Sequence, residues 1–321
     1  MSKPIAIIFS DIHLNIWSRF NTNNCRTNEA FKTIETIAQL CTRYKVPALF
    51  CGDLIHKPEV LEQDLANLIL LHAKYIFKTY PKFKVYAISG NHDMNKVNSF
   101  DNISNSWVRF FSGSIPFMYC LDFKSTIIGS STKVYGVPYI DHNIGLYHYL
   151  KAIKLDKNKK NILLLHTDYP GAKDTDGRVV DSAENINVNM LNKFDLVLSG
   201  HIHKPQRLGK KIYMIGSPMQ QKRTDKNCKM GIWILYDNLE MEFKDLKNHI
   251  FIDVESEEDI KDDGNYYTVI PKVNPVSIVD NNTITKKLSK SRIARKYLRI
   301  KGITDINKKN LLINTLKKAE E

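Results

Sequence analysis

Short apolar runs alternate with longer amphipathic stretches along the first third of the chain. The short runs predict buried strands at residues 4–9, 46–51 and 84–89. Between them, residues 29–44 and 59–80 carry apolar side chains at helical spacing. Strands that alternate with helices of this length need crossover connections, so the pattern predicts a largely parallel sheet with covered faces.

After residue 113 the chain becomes richer in short apolar runs. These runs lie at residues 127–128, 133–137, 161–165, 194–199, 211–215 and 231–236. A succession of short strands of this kind predicts a second sheet that packs on the first. The fold class we expect is therefore α/β.

The composition changes near residue 245. Residues 253–263 hold seven acids in eleven positions, and residues 286–301 hold eight Lys or Arg in sixteen. We take this shift as a domain boundary, with a catalytic domain at 1–245 and a small α+β capping or accessory domain at 246–321. Within the second domain, residues 266–270 and 297–300 are predicted strands, and residues 307–319 are a predicted terminal helix.

Composition narrows the class of protein. With 321 residues and 43% hydrophobic content, the chain can bury a substantial core. Charged residues make up 25%, and no apolar stretch is long enough to cross a membrane, so a disordered chain and a membrane protein are both excluded. The first apolar run is too short for a signal-peptide core. The five cysteines include no C-x-x-C pair, which favours a reducing compartment, and we expect a cytoplasmic protein, or one of the host cytoplasm if a phage encodes it.

The charge balance points to a polyanionic partner. Lys and Arg number 47 against 34 Asp and Glu, a net charge of +13. Nucleic acid is the partner that such a balance favours, although a basic composition also serves solubility.

Side chains suited to metal binding follow five of the predicted strands. They are Asp11 and His13, Asp53, Asn91 with His92 and Asp93, His166, and His201 with His203. In an open α/β sheet the carboxyl ends of the strands line one crevice, so these side chains are expected to converge. Any one cluster alone fits a turn or a hydrogen-bonded core residue, but the set taken together favours a metal site. Glycines at 52, 90 and 200 fit turns that bring the backbone close to a small object.

The donor types limit the metal. Two carboxylates, one amide oxygen and four imidazoles, without a thiolate, point to manganese, iron, zinc or magnesium. Seven donors are too many for one ion, and a central Asp53 could bridge two. Two ions about 3.5–4 Å apart stabilise both the attacking and the leaving oxygen of an in-line phosphoryl displacement.

As a set, these motifs resemble the signature of the calcineurin-like metallophosphoesterase superfamily over about residues 5–220. The resemblance implies a two-layer β-sandwich flanked by helices, with two divalent ions, manganese being the first expectation. One ion would be held by Asp11, His13, Asp53 and His203, and the other by Asp53, Asn91, His166 and His201. By the same resemblance a metal-bound hydroxide attacks phosphorus, while His92 contacts the phosphate and protonates or stabilises the leaving oxygen.

The residue three places after Asp53 separates branches of this superfamily. The Ser/Thr phosphatase branch carries Gly-Asp-x-x-Asp-Arg-Gly there, whereas this chain has His56 in place of the second acid and lacks the Arg-Gly. The stretch from Gly52 to His56 is similar to the SbcD type of DNA repair and recombination nuclease. A second imidazole beside the metals can contact a phosphodiester or help to position His92; the alternative is a surface histidine that opens the next helix.

The resemblance also implies partners. DNA, a homodimeric state and an SbcC-type ATPase subunit are expected, although the chain ends soon after the predicted terminal helix, where the ATPase-binding region would lie. The basic stretch 286–301 would contact the DNA backbone or the ATPase, or else be a surface balanced by the acidic stretch 253–263. The segment 14–28, with Trp17 and Arg26, suits nucleic-acid stacking or is a surface loop with one packed Trp.

Two alternatives stay open from the sequence. A small-molecule or nucleotide phosphodiesterase on the same fold would not need the basic tail. A non-catalytic scaffold with this fold is disfavoured, because all seven donor positions and His92 are present.

Overall fold

The computed structural model describes residues 2–17, 25–94, 106–141, 143–180, 188–248, 250–254 and 267–271. The strands of a first six-stranded sheet are β1 (Pro4–Phe9), β2 (Ala48–Phe50), β3 (Val85–Ala87), β4 (Met118–Cys120), β11 (Gly231–Tyr236) and β12 (Met241–Asp245). Their order is β12-β11-β1-β2-β3-β4, with β1 to β4 parallel and the two late strands antiparallel.

A second six-stranded sheet follows in the chain. It contains β5 (Ser125–Ile128), β6 (Thr132–Gly136), β7 (Lys160–His166), β8 (Leu196–Gly200), β9 (Gln206–Leu208) and β10 (Ile212–Met214). The order is β5-β6-β7-β8-β10-β9; β6, β7, β8 and β10 are parallel, and β5 and β9 join the two edges antiparallel.

The two sheets share one apolar layer. Ile8 and Leu49 of the first sheet pack in one buried cluster with Leu164 and Leu198 of the second. Neighbouring residues of β1 point the other way, because side chains alternate along a strand: Ile7 belongs to a different cluster, on the helix side of the sheet. The predicted second sheet packed on the first is therefore confirmed.

Helices cover the outer faces of both sheets. On the first sheet lie α1 (Cys25–Tyr44), α2 (Gln63–Thr79) and α3 (Trp107–Ser114), and on the second lie α4 (Asn143–Ala152) and α5 (Val188–Leu191). The apolar stripe predicted for the first helix is buried as expected, with Phe31, Ile37 and Cys41 all below one-tenth exposed. The fold is an α/β sandwich of two mixed sheets flanked by helices, as expected.

Element bounds differ from the predicted ones in both directions. α1 begins at Cys25, four residues before the predicted start, whereas other elements are shorter than predicted. β2 and β3 are three residues long where six were predicted, because the flanking apolar residues, such as Cys51 and Ile88, are buried in the turns beyond the ladder. α2 begins at Gln63 rather than at residue 59. The short helices α3 and α4 were not predicted.

Residues after Asp245 still contact the two-sheet sandwich. The amide of Leu246 donates to the carbonyl of Met230 at 3.3 Å. Phe251 is buried, and its amide donates to Gln220 Oε1 at 2.5 Å. Phe251 belongs to β13 (Ile250–Val254), which pairs in parallel with β14 (Tyr267–Pro271), where residues 266–270 were predicted to form a strand. The boundary at 245 remains a prediction.

Several expectations for the tail concern residues outside those described. They are the strand at 297–300, the helix at 307–319, the basic stretch 286–301 and most of the acidic stretch 253–263. Within the described ranges, no helix is both long enough and apolar enough to span a bilayer.

Candidate metal centre

The segments that end β1, β2, β3, β7 and β8 meet at one place. They bring together all seven predicted donor residues, although these span almost two hundred positions of the chain. The donors form two groups, which we call the first cluster (Asp11, His13 and His203) and the second cluster (Asp53, His166 and His201). In each cluster the potential ligand atoms lie within 4.8 Å of one another.

The first cluster is centred on His13. Its Nε2 atom lies 3.1 Å from Nε2 of His203 and 3.9 Å from Oδ1 of Asp11. Asp11 and His13 are both buried. Two imidazole nitrogens this close, beside a carboxylate, are arranged to share one cation.

The second cluster includes the amide of Asn91. Its Oδ1 atom lies 3.0 Å from Nε2 of His166 and 2.9 Å from Nδ1 of His201. His166 is fully enclosed, and its Nε2 atom is also 3.3 Å from Oδ2 of Asp53. Asn91 therefore completes this group with a fourth donor.

Asp53 joins the two clusters. The same Oδ2 atom that faces His166 lies 3.6 Å from Nε2 of His13. The other oxygen, Oδ1, accepts a hydrogen bond from the backbone amide of His92 at 2.9 Å, which fixes the orientation of the carboxylate. The geometry thus places one carboxylate between two sets of imidazoles.

The donor set fits divalent ions. Among the described residues, Asp11 Oδ2 is buried without a hydrogen-bond partner. Buried carboxylates and imidazoles this close together need either a cation or protons to offset their desolvation. A mixture of oxygen and imidazole donors without sulfur suits manganese, iron, zinc or magnesium.

The pKa shifts of the metal-free site reflect the same crowding. Burial opposes ionisation of Asp53, but the charge and hydrogen bond of His166 outweigh it and hold the pKa of Asp53 below its usual range. Burial also opposes protonation of His166, yet Asp53 raises the pKa of that imidazole to about 9. Burial, together with the charge of Asp53, raises the pKa of Asp11.

Groups around the ligands orient three of the histidines. Nδ1 of His166 donates to the carbonyl of Cys51 at 2.7 Å. Nδ1 of His203 lies 3.7 Å from the buried carboxylate of Asp225, and Nε2 of His201 lies 3.5 Å from Asp168. The contact of His166 is a hydrogen bond, whereas Asp225 and Asp168 approach one ring nitrogen of His203 and of His201 at ion-pair distance. In all three histidines the other ring nitrogen lies in its cluster, which is the usual arrangement around a bound metal.

Asp93, to which the sequence assigned no role, supports the loop after β2. Its carboxylate accepts hydrogen bonds from four backbone amides, those of Asp53, Leu54, Ile55 and Gly90, at 2.8–3.0 Å. Burial, together with the charge of Asp53, raises the pKa of Asp93 to about 7. Asp93 is thus a backbone anchor for the site.

All three predicted glycines are required by close packing. A Cβ atom at Gly52, whose φ angle is +97°, would lie 2.5 Å from Nδ1 of His166. A Cβ atom at Gly90 would lie 2.1 Å from Oδ1 of Asp53, and one at Gly200 would lie 2.3 Å from Oγ of Ser10. Both would also press on the ring of His166. The glycines were predicted to let the backbone approach a small group, and the groups that it approaches here are side chains of the site.

Four non-glycine residues of the site have left-handed backbone conformations. The φ angles are +53° at Asp11, +49° at His13, +63° at Asp53 and +82° at His201. This region is costly for residues with a Cβ atom, and such strain clusters at functional sites.

His92 and His56 stand beside the first cluster. Their rings are nearly parallel, with centroids 5.4 Å apart, and the ring of His92 meets that of His13 edge-on at 4.8 Å. Nδ1 of His92 donates to the backbone carbonyl of His56 at 2.6 Å, so Nε2 remains for other partners. His56 lies in the loop before α2 and does not open that helix.

Sequence reasoning missed Asp168 and Asp225. Asp168 comes two residues after the end of β7, as Asp11 does after β1, so its position was an available signal. Asp225 sits in a short 3₁₀ helix, Arg223–Asn227, and its only sequence signal was an acid in the otherwise basic stretch from Lys222 to Lys229.

The family comparison agrees with this geometry. The family model described as calcineurin-like phosphoesterase matches residues 6–205, more than half of the chain. The chain belongs to the calcineurin-like phosphoesterase family. That stretch contains all seven donors, His56 and His92. Members of this family use divalent metal ions, so the two clusters are candidate ligand sets for them.

Two curated proteins are similar to this chain in sequence. The SbcD component of the nuclease SbcCD of Staphylococcus epidermidis is 24% identical over 249 residues, which cover 69% of this chain and 63% of the relative. A protein of Invertebrate iridescent virus 6, named as a phosphoesterase, is 26% identical over 179 residues, covering 53% and 56%. The chain therefore spans less than two thirds of the length of these relatives.

Similar solved structures include a Thermus thermophilus protein and a dimetal phosphatase from Danio rerio. The first has a TM-score of 0.46 at 12% identity and covers 76% of this chain and 99% of the other. The second has a TM-score of 0.45 at 10% identity and covers 73% and 93%.

Proposed function

We propose that this protein is a two-metal phosphodiesterase that cleaves DNA, as a nuclease subunit in recombination or double-strand-break repair. The observation that carries the proposal is the carboxylate of Asp53, which lies 3.6 Å from His13 and 3.3 Å from His166 between two clusters of donors. One shared carboxylate between two ligand sets suits a pair of ions, for which manganese is our first choice.

The residues of the site would have separate roles in metal binding and in contact with the phosphate. Asp11, His13, Asp53 and His203 would hold one ion, and Asp53, Asn91, His166 and His201 the other. The ions, when bound, activate the nucleophile and neutralise charge on the phosphoryl oxygens. His92 would contact the phosphate through Nε2 and stabilise or protonate the leaving oxygen, because its Nδ1 is engaged by the carbonyl of His56.

His56 supports a diester substrate. Its half-buried ring lies beside His92 at the position where phosphatases of this superfamily carry an acid. An imidazole there can contact a diester without adding negative charge near the phosphate. The net charge of +13 agrees with a long polyanionic substrate.

Partners follow from the relative named as the SbcD component of an SbcCD nuclease. We propose an SbcC-type ATPase partner, a homodimeric state and a cytoplasmic location.

The test is cleavage of end-labelled single-stranded and double-stranded DNA with manganese or magnesium, with and without EDTA. We expect metal-dependent cleavage that Asp53→Asn reduces by about a hundredfold or more, since both clusters lose their shared carboxylate. Asp176→Asn, at an exposed carboxylate, is the matched control and should retain activity.

The other outcomes identify the competing functions. Hydrolysis of bis-p-nitrophenyl phosphate or nucleotides without DNA cleavage would contradict the nuclease assignment and favour a small-molecule phosphodiesterase. No metal-dependent hydrolysis of any diester would favour a scaffold.

A further inference from the structure

The ring of Trp17 contacts both a cation and an imidazole. The guanidinium carbon of Arg26 lies 3.9 Å from the ring centre, and the ring of His56 lies 4.7 Å away at an angle of 43°. Arg26 is buried, and its Nη2 atom donates to the backbone carbonyl of Gln221 at 2.7 Å. Arg26 is therefore fixed to the body of the protein and contacts Trp17, and Trp17 in turn contacts His56.

His56 needs such a support. Its backbone amide is fixed by the carbonyl of Leu14 at 3.1 Å. Its Nδ1 atom, however, is buried without a hydrogen-bond partner among the described residues, so no hydrogen bond through that atom sets the ring angle. The contacts that orient the imidazole are its ring neighbours Trp17, His92 and His13.

We propose that Trp17 is a positioning residue that holds the His56 imidazole against His92 and so sets the preference of the site for nucleic-acid diesters. This inference rests on the proposed function, because His56 is the group through which Trp17 acts. The contact chain runs from Gln221 through Arg26 and Trp17 to His56, and it contains none of the seven predicted donors.

The same geometry argues against Trp17 as a platform for a nucleobase. Arg26 and His56 already contact the ring, and a base that stacked on the face of either contact would have to displace it. Displacing Arg26 would unpair a buried cation, which is far more costly than the gain from stacking one base. The stacking role expected for the segment 14–28 remains a prediction, and at Trp17 it would compete with these two contacts.

A double-mutant cycle tests the coupling. Trp17→Ala should reduce DNA cleavage about tenfold or more while affecting bis-p-nitrophenyl phosphate less, since small displacements of active-site groups have effects of this size. Trp17→Phe keeps an aromatic ring and should restore most of the activity. In a His56→Ala background, Trp17→Ala should cause little further loss, because two residues that act through one group are not additive.

Two readouts do not depend on turnover. In the metal-free protein, the imidazole ¹H–¹³C signal of His56 should shift in Trp17→Ala. The control is His72 of α2, which packs against Phe31 of α1 and Tyr75 of α2 and whose signal should stay unchanged. Affinity for a labelled single-stranded oligonucleotide, measured with calcium in place of manganese, should change by no more than about twofold, because no stacking contact is lost.

The outcomes separate the possibilities. Additive losses in the cycle together with a weakened oligonucleotide affinity would overturn the inference and make Trp17 a nucleobase contact. An unchanged His56 signal in Trp17→Ala would also overturn it. If the wild-type protein cleaves only small diesters, the nuclease proposal fails, and the cycle on bis-p-nitrophenyl phosphate with the His56 signal still decides whether Trp17 positions His56.

Discussion

The carboxylate of Asp93 accepts a hydrogen bond from the backbone amide of Asp53 at 2.8 Å, forty residues earlier in the chain. The same carboxylate also binds the amides of Leu54, Ile55 and Gly90. It therefore joins the turns after β2 and β3, the two turns that place Asp53 and Asn91. A side chain outside the predicted donor set thus determines where two of the predicted donors lie.

Removing this anchor should destabilise the protein before any metal is added. Asp93→Ala leaves four buried amide donors without their acceptor, and we expect the free energy of unfolding of the metal-free protein to fall by about 3 kcal/mol. Asp195→Ala is the control, because that exposed carboxylate accepts, within the described part of the chain, a single backbone amide, that of Asn161. Urea unfolding measures both; equal effects would contradict a special role for Asp93.

Gly90 should tolerate no side chain. In Gly90→Ala the new Cβ atom would press on Oδ1 of Asp53, so we expect a loss of about 1–3 kcal/mol in stability and much weaker metal binding. Gly113→Ala is the matched control in α3, where a Cβ atom meets nothing within 4 Å and should stabilise the helix by up to about 1 kcal/mol. Thermal unfolding and metal titration would show whether the two variants separate in this way.

His92 should matter for chemistry and not for metal loading. It belongs to neither of the two clusters that contain the predicted donors, although its ring nitrogen, with those of His13 and His56, forms a further group of atoms within 4.8 Å of one another. We expect His92→Ala to retain the wild-type metal content while its hydrolysis rate falls by about 10²–10⁴. Calorimetric metal titration and turnover give the two measurements, and a parallel loss of metal would show that His92 is a ligand.

Loss of the His56 side chain should affect two kinds of diester substrate unequally. Because its ring stands beside His92 and outside both clusters, His56→Ala should reduce DNA cleavage more than cleavage of bis-p-nitrophenyl phosphate. Rates on the two substrates, compared with wild type, give the selectivity directly. Losses of the same size on both would make His56 part of the general hydrolytic machinery.

Metal affinity should rise with pH through the neutral range. An imidazole must be neutral to bind a metal ion. In the metal-free protein, Asp53 raises the pKa of His166 to about 9 against the effect of burial. Protons therefore compete with the metal below that value, and apparent affinity should increase up to about pH 9 and then level off. Titrations with calcium, which precipitates less readily than manganese at high pH, would reveal a flat profile if the expectation is wrong.

Features that depend on neighbouring residues in the chain could be predicted from the sequence. Strand ends such as those before Asp11 and His201 are recognisable because an apolar run stops abruptly at polar residues. Parallel strands then bring their ends together without further information, which is why the donors were predicted to converge.

Features that depend on a distant return of the chain could not be predicted. Asp225 supports His203 because the chain comes back beneath the first cluster after β10, and no periodic pattern encodes that approach. The orientation of Trp17 has the same origin, since Arg26 is held by a carbonyl almost two hundred residues away.

The left-handed backbone at Asp11, His13, Asp53 and His201 has an evolutionary consequence. Glycine or asparagine would suit these conformations better than the residues that occupy them, so the chain gives up stability at four places to retain its donors. A descendant released from selection for hydrolysis would be expected to drift first at these positions, towards glycine and asparagine. Homologues that carry such replacements while keeping the sandwich core would be recognisable from sequence as members that have lost the reaction.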